Sequence, residues 1–342
     1  MAAGATIAPA PRAATTRLAP MGMSGSGRLA SMRTASGAGV RVAGIELRSR
    51  TDIAGIARAG AVVAEALAAA RAACMPGTTT AAIDEVVRGV IASHGAEALF
   101  LGYASESARR EGRKPFPAAT CISVNEELVH GVPGSRIVAD GDIVSIDAGV
   151  RLDGWCADAA ITVAVGAVRP EARALVACAE EMLATAVARM RPGVLWSTIA
   201  AELEEIAVAA GHAIAVDFVG HGIGRELHES PQVPCSVYRR FLEAGDFTLR
   251  PGMVLAIEPM LVLEQPLRNQ VGELVGPKGT LSSDGWTVTV DSGAWSCHVE
   301  HTVAVTRDGA VVLTVASSPE EASSVTNITT NTIGQPARAV AG

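Results

Sequence analysis

The sequence predicts an α+β fold in which two related halves pack as one domain. A unit of helix, Pro-Gly, helix and Gly occurs twice, with 18 residues from Gly77 to Gly95 and again from Gly193 to Gly211. β-type runs follow each unit, as expected when helical hairpins cover one face of an antiparallel sheet. The opposite face of such a sheet is left concave and free for a site.

Capping and breaking residues bound the helices of both units. The first helix is predicted from about Thr51, as its N-cap, to Ala73, and Thr79 or Thr80 caps the second. A third helix is expected over residues 170–190. Apolar residues at three- to four-residue spacing give each helix a face to pack on the sheet.

A β-hairpin over residues 143–165 is predicted next. Asp153-Gly154 separates two alternating apolar runs, residues 143–151 and 155–165. Asp-Gly in this setting is a strong hairpin signal, because a type I′ turn needs φ > 0 at both central positions. The hairpin therefore supplies two neighbouring strands of the sheet.

This turn determines which residues face each other. Counting outward places Asp158 opposite Gly149, with Asp147 on the same face and diagonal to Asp158. Diagonal backbones are roughly 7–8 Å apart, a span that two aspartates close by sharing one cation. The alternative for this hairpin alone is that both aspartates lie on the solvent face of an antiparallel sheet.

Composition favours a large core and argues against a nucleic-acid surface. Of the 342 residues 49% are hydrophobic, and the net charge is −7. The one long apolar run, residues 53–75, contains Arg58, Glu65 and Arg71 and is not predicted to span a membrane. Six cysteines without a CxxC pair indicate reduced thiols and a cytoplasmic location.

The two ends differ in composition from the middle. Residues 1–43 contain arginine but no acidic residue and are predicted to be a disordered extension; the domain covers residues 44–317. A transit peptide, which would make the location organellar, and a start codon assigned too early are the alternatives. The Ser/Thr/Ala-rich residues 318–342 are predicted to be a disordered tail.

Four carboxylates and one histidine interrupt apolar β runs or glycine-lined turns. They are Asp147, Asp158, His221, Glu258 and Glu300. The histidine and the two glutamates have ordinary alternatives. His221 alone would fit a hydrogen-bonded loop histidine, Glu258 would fit a strand end before Pro259, and Glu300 would fit an edge ion pair with His301. An unpaired charge is most costly in such places, so their joint occurrence favours a shared cation. An oxygen-rich set with one imidazole suits Mn, Fe, Co or Zn.

The chain over residues 44–316 resembles type I methionine aminopeptidases. The motifs that carry the resemblance are PGTTT, CISVNEELVHGVP, GDIVSIDAGV–DGWCAD, GHGIGRELHESPQV, RPGMVLAIEPM and DGWTV–VEHT. These enzymes belong to the pita-bread metallopeptidases, which also include prolidase and aminopeptidase P. The resemblance implies the pita-bread fold and metal-dependent removal of the N-terminal methionine from nascent proteins whose second residue is small.

The resemblance also implies a role for each of the five candidate ligands. Asp158 and Glu300 would bridge two divalent ions (Co, Mn, Fe or Zn), Asp147 would hold one of them, and His221 with Glu258 the other. Two such ions about 3.5–4 Å apart hold a hydroxide at neutral pH. The expected reaction is attack of this metal-bridged hydroxide on the carbonyl of the first peptide bond.

Three further roles and a pocket follow from the same motifs. Glu258 would move the proton to the leaving amine, His228 would stabilise the developing oxyanion, and His130 would hydrogen-bond the leaving-side amide. The methionine pocket is expected to contain Tyr103, Phe116, Cys121, Leu227 and Trp286.

The sequence departs from the family at three places. Leu227 stands where the family usually has Phe, which should loosen the pocket. Ala159 and Ala160 replace residues that tend to carry hydroxyls after Asp158, which removes a hydrogen-bond donor near the ligands. The polar segment 104–114, predicted to be a surface loop, lengthens the connection between Tyr103 and Phe116.

Two other functions stay open at this point. One is a prolidase or aminopeptidase P, although fewer than 50 residues precede the domain where those relatives carry a long N-terminal region. The other is a binding protein of the same fold that has lost its metals. For the favoured reading, the expected partners are N-terminal methionine peptides and nascent chains, with the ribosome as a candidate and a monomeric state.

Overall fold

The computed structural model describes residues 41–42 and 44–315. The helices are α1 (Arg50–Ala73), α2 (Thr80–Ser93), α3 (Glu106–Arg110), α4 (Pro170–Arg189), α5 (Trp196–Ala209) and α6 (Arg239–Ala244). The strands are β1 (Arg41–Val42), β2 (Ile45–Glu46), β3 (Glu97–Ala98), β4 (Thr120–Val124), β5 (Glu127–Val129), β6 (Ile143–Leu152), β7 (Trp155–Ala164), β8 (Ala213–Ile214), β9 (Gly220–Gly222), β10 (Glu229–Val233), β11 (Val254–Ile257), β12 (Met260–Val262), β13 (Leu267–Arg268), β14 (Leu274–Val275), β15 (Gly279–Leu281), β16 (Val288–Val290), β17 (Ser296–His298), β18 (Glu300–Val305) and β19 (Ala310–Val312).

The predicted tail and almost all of the predicted extension lie outside the described residues. Within the extension, Arg41–Val42 pairs with Ile45–Glu46 as an antiparallel ladder. Gly44 makes the tight turn between them with φ of 87°. The described structure therefore includes two residues of the predicted extension.

A nine-stranded sheet, antiparallel in each of its pairings, joins the two halves. Its strand order is β10-β9-β11-β18-β7-β6-β3, with β4 also paired to β6 and β19 to β18. Strands β3, β4, β6 and β7 come from the first half of the chain, and β9, β10, β11, β18 and β19 come from the second. The two halves meet where β7 pairs with β18.

The register of the β6–β7 hairpin confirms the prediction from its turn. Asp153 has φ of 52° and Gly154 has φ of 74°, the combination that a type I′ turn requires. Asp158 lies opposite Gly149, and Asp147 lies opposite Ala160 two residues away. The two aspartates are therefore diagonal neighbours on one face.

The helices cover the other face and form one core in each half. Helices α1 and α2 pack in the first core, and α4 and α5 pack in the second. Val144, Ile146 and Ala148 of β6 belong to the first core, so the alternating Ser145 and Asp147 point to the concave side. Helices and site thus occupy opposite faces of the same strands, as the sequence predicted.

Two local predictions differ from the structure. Helix α1 begins at Arg50 with Ser49 as its N-cap, not Thr51, because Ser49 and Asp52 form a capping box. The predicted loop 104–114 contains the short helix α3. Among the described helices only α1 is long and apolar enough to cross a membrane, and half of that apolar window is buried in the fold.

Candidate metal centre

Three of the five predicted ligands lie in one row across the concave face. Asp147 is opposite Ala160, and Ala160 is opposite Glu300 on the next strand. Strands β11 and β18 are paired up to the residue before Glu258, so Glu258 follows opposite Glu300. Because neighbouring strands are about 4.8 Å apart, the methyl group of Ala160 leaves room for the flanking carboxylates to converge.

A second row contains Asp158 and His221. The Asp158 N–H donates to Oγ1 of Thr302 at 3.0 Å, and the same hydroxyl donates to the Asp158 carbonyl oxygen at 2.8 Å. Thr302 is opposite Ala256, which in turn is opposite His221. Small residues therefore separate the candidate ligands in both rows.

Two glycines allow the backbone on either side of His221 to pack closely against the neighbouring strands. A Cβ at Gly220 would lie 2.3 Å from the Ala256 carbonyl oxygen, and one at Gly222 would lie 2.2 Å from that of Ser230. His221 Nδ1 is 3.0 Å from the Gly222 carbonyl oxygen and donates to it. Nε2 is then the free nitrogen, and it lies 3.6 Å from Oε1 of Glu258.

The donor atoms form two overlapping groups that could each hold an ion. One comprises Asp158, His221 and Glu300, the other Glu258, His298 and Glu300, with all ligand atoms of a group within 4.8 Å of one another. The predicted ligand Asp147 is in neither group. Four atoms of the cluster are buried and have no hydrogen-bond partner among the described residues: Asp147 Oδ1, Asp158 Oδ1, His298 Nε2 and Glu300 Oε1. Unpartnered carboxylate oxygens facing one another are a good fit to divalent cations.

The electrostatics agree with this fit. Burial raises the pKa of Asp158 to about 7. Burial, then repulsion from the neighbouring carboxylates, raises the pKa of Glu258 and Glu300 well above their usual value. Burial lowers the pKa of His221 to about 4, so its imidazole is neutral and able to bind a metal. A bound cation would offset the cost of ionising the buried carboxylates.

Two more predicted histidines border the cluster. The His228 ring lies edge-on to His221 with centroids 4.4 Å apart, and its Nδ1 is 3.0 Å from the Tyr103 hydroxyl. His130 has φ of 57° and packs edge-on to Phe218 at 5.9 Å. Burial lowers the pKa of His130 to about 4 and that of His228 well below its usual value, so both are neutral at pH 7.

The predicted pocket residues surround one end of the same cavity. Trp286 packs against Phe116 at 5.4 Å and against Tyr103 at 6.3 Å. Its Nε1 donates to the Lys114 carbonyl oxygen at 2.9 Å, which ties the 104–114 segment to the pocket. The cavity is lined by all twelve predicted site residues: Tyr103, Phe116, Cys121, His130, Asp147, Asp158, His221, Leu227, His228, Glu258, Trp286 and Glu300.

Sequence reasoning missed other residues of this cavity, among them two phenylalanines and a histidine. Phe100 and Phe218 also line it, and neither stood in a motif with an assigned role. His298 lies in one of the candidate metal groups. Its spacing was a usable signal, because His298 and Glu300 are two residues apart and share one face of an extended chain.

Comparisons with known proteins give one consistent match. The family model described as metallopeptidase family M24 matches residues 54–307. Methionine aminopeptidase 1 of Mycobacterium tuberculosis is 39% identical over 78% of this chain and 94% of its own length. The crystal structure of methionine aminopeptidase from Thermotoga maritima is 34% identical, has a TM-score of 0.69 and covers 79% of this chain and 99% of its own.

More distant solved structures share the fold. Prolidase from Pyrococcus furiosus is 22% identical with a TM-score of 0.58, over 80% of this chain and 66% of its own. At this identity the similarity concerns the architecture of the chain and not its substrate.

Proposed function

Because the chain belongs to metallopeptidase family M24, we propose that it is a methionine aminopeptidase that removes N-terminal methionine from peptides and nascent proteins with a small second residue. One observation carries the proposal: a cluster of buried carboxylates with a neutral imidazole shares its cavity with an apolar, aromatic pocket. The curated relatives that support it are methionine aminopeptidases at 37% and 39% identity.

Two divalent ions are the proposed cofactors, with Mn, Fe, Co or Zn as candidates. Asp147, Asp158, His221, Glu258 and Glu300 would hold them, with Asp158 and Glu300 shared between both. When bound, such ions supply Lewis acidity and a water nucleophile at neutral pH. The protein itself supplies the groups that move the proton and orient the substrate.

Glu258 is the proposed proton carrier. It directly follows β11, before Pro259, which cannot donate a ladder hydrogen bond. Its carboxylate faces His221 and lines the cavity, within reach of a water that attacks the first peptide carbonyl. Glu258 would accept a proton from that water and return it to the departing amine nitrogen.

His228 is proposed to stabilise the oxyanion that forms on the substrate carbonyl. The Tyr103 hydroxyl is 3.0 Å from Nδ1, and in the tautomer that we propose it donates to Nδ1 while the ring carries its proton on Nε2. That N–H would donate to the carbonyl oxygen, and the bond would strengthen as negative charge develops. His130, which also lines the cavity, would hydrogen-bond the leaving-side amide.

Specificity for methionine would come from the aromatic end of the cavity. Tyr103, Phe116 and Trp286 enclose an apolar space suited to an unbranched thioether, and sulfur–aromatic contacts favour that side chain. Leu227, which is buried in the same wall, has a smaller side chain than Phe and should permit slightly bulkier first residues.

The decisive experiment compares peptides and metals. Protein purified without added metal is loaded with Mn, Fe, Co or Zn, and cleavage of Met-Ala-Ser is measured against an Ala-Pro peptide. We expect methionine release only from the first peptide and its loss after chelation. Glu258→Gln should abolish turnover, whereas Glu97→Gln on the exposed part of β3 should not. Full activity without metal would reject the proposal.

The state of the cysteines bears on the proposed location of the protein. The six cysteines are free thiols in the described structure, which supports a reducing compartment such as the cytoplasm. An organellar location would depend on residues 1–43. Contact with the ribosome and a monomeric state stay predictions.

A further inference from the structure

His298 lies on the same face as the candidate ligands but has no role in the mechanism above. It ends β17, and the pairing of β12 with β17 places it opposite Met260. Glu258 and Glu300 occupy the next site-facing pair along these chains, two residues away. The His298 side chain lines the cavity and is only 5% exposed.

Two hydroxyls hold the backbone of His298 in place. Its N–H is 3.1 Å from both Ser145 Oγ and Thr162 Oγ1, and Thr162 Oγ1 donates to its carbonyl oxygen at 2.7 Å. The two hydroxyls are also 2.9 Å from each other. Ser145 and Thr162 are a facing pair of the β6–β7 hairpin, so the strands that carry Asp147 and Asp158 also position His298.

The imidazole nitrogen that faces the carboxylates is buried without a hydrogen bond. His298 Nε2 lies 3.7 Å from Glu258 Oε2 and 3.8 Å from Glu300 Oε2. Both distances exceed hydrogen-bond length, and Nε2 has no other hydrogen-bond partner among the described residues. They match the separation of two ligands of one cation, since donor atoms about 2.0–2.2 Å from an ion lie roughly 3–4 Å apart.

We propose that His298 is an additional ligand of the metal centre, with its Nε2 binding the divalent ion held by Glu258 and Glu300. This inference rests on the proposed metallopeptidase function and adds a second imidazole to the ligand set. A second nitrogen donor shifts the metal preference of the site towards Co, Zn and Fe(II) and away from Mn and Mg, which bind mainly oxygen ligands.

The test uses the full-length protein loaded with Co(II). Anomalous density in a crystal structure gives the distance from the ion to His298 Nε2, and competition with a chelator gives the affinity of wild type and His298→Gln. His212→Gln is the matched control, because His212 is also buried but does not line the cavity. Circular dichroism checks the fold of both variants, and His298→Asn serves if the glutamine variant does not fold.

We expect Nε2 at about 2.1 Å from the ion, and Co(II) affinity at least about tenfold lower in His298→Gln than in wild type and His212→Gln. We also expect the visible absorption bands of Co(II) to change in His298→Gln alone. An ion-to-Nε2 distance above about 3 Å, or unchanged Co(II) bands in His298→Gln, would overturn the inference. If wild type neither binds Co(II) at the cluster nor cleaves Met-Ala-Ser, the proposed function has failed instead.

Discussion

The β6–β7 hairpin and the strand pair of the second half, β11–β12 with β17–β18, both carry candidate ligands but hold them differently. Each strand of the hairpin is an unbroken run of ten residues. The second pair is interrupted on both sides, by Glu258-Pro259 on one strand and by Val299 on the other. The pairing register is nevertheless the same before and after the interruption.

This difference shows two ways to direct polar side chains into one cavity. In the hairpin, the alternation of side chains along each strand directs Asp147 and Asp158 to the concave face, and the backbone hydrogen bonds of the ladder fix their positions. In the second pair the register continues through the interruption and keeps Glu258, His298 and Glu300 on one face. The Val299 N–H still donates to the Pro259 carbonyl oxygen at 3.2 Å, but Pro259 has no N–H to donate in return. The first region is therefore expected to be rigid without metal, and the second to depend more on it.

The largest expected effect comes from removing one of the ligands proposed to be shared between the ions, one in each region. Asp158→Asn and Glu300→Gln should each lower kcat/KM by at least about 10³-fold, because metal catalysis supplies several kcal/mol of transition-state stabilisation. Peptidase assays with matched metal loading measure this. If one variant kept more than a tenth of the activity, the two regions would not share the ions equally.

The second prediction concerns His228, which lies beside both regions. His228→Ala should lower kcat by about 10²–10³-fold and change KM little, since its bond to the substrate oxygen strengthens in the transition state. Tyr103→Phe removes only the hydroxyl 3.0 Å from Nδ1 and should have a smaller effect on kcat. A variant that raised KM alone would assign His228 to substrate binding.

The third prediction tests the spacing between the regions. Ala160→Leu fills the gap between Asp147 and Glu300, and overpacking of about 1–3 kcal/mol should weaken metal binding about 10- to 100-fold. Ala164→Leu is the control, because Ala164 is on the same strand and exposed. Equal metal affinity in both variants would show that the small residue has no part in spacing the ligands.

The smallest effect is on stability between about pH 6.5 and 8.5. Burial raises the pKa of Asp158 from 3.8 to about 7, and burial with repulsion between the carboxylates raises the pKa values of Asp147, Glu258 and Glu300 well above their usual range. The folded metal-free protein then keeps protons that the unfolded chain has already released, so its stability should fall as pH rises. The histidines of the unfolded chain have an ordinary pKa of about 6.5 and are largely neutral only above about pH 7.5, so we expect the fall in stability in the upper part of this range.

Thermal unfolding after chelation measures this effect, and we expect Tm to drop by about 5 °C across the range. Asp158→Asn should make the drop in Tm smaller, because it removes one of the carboxyl groups whose pKa is raised. Metal-loaded protein should show a flat or rising profile, because metal displaces the same protons. A chelated protein that became more stable with pH would contradict the raised pKa values.

The two regions also differ in how far the sequence predicts them. The Asp-Gly turn determines the hairpin register by counting, and so it predicts that Asp158 faces Gly149. No local signal pairs Glu258 with Glu300, because a long irregular segment with short hairpins separates them. Their convergence was expected only from the resemblance.

His298 and α3 illustrate what local patterns omit. His298 was missed because no role was assigned to it, although it shares a face of an extended chain with Glu300 two residues on. Helix α3 was missed because a polar, charged segment reads as a loop; it is short, and its ion pair between Glu106 and Arg110 spans one helical turn.

Gly220 and Gly222, which flank His221, should tolerate few substitutions. Any side chain at either position would meet the carbonyl oxygen of a neighbouring strand at about 2.3 Å or less. Substitutions there should disrupt packing of the sheet edge before they alter chemistry. In a library selected only for folding, β9 would therefore change little, and the loop geometry around His221 would persist even without selection for activity.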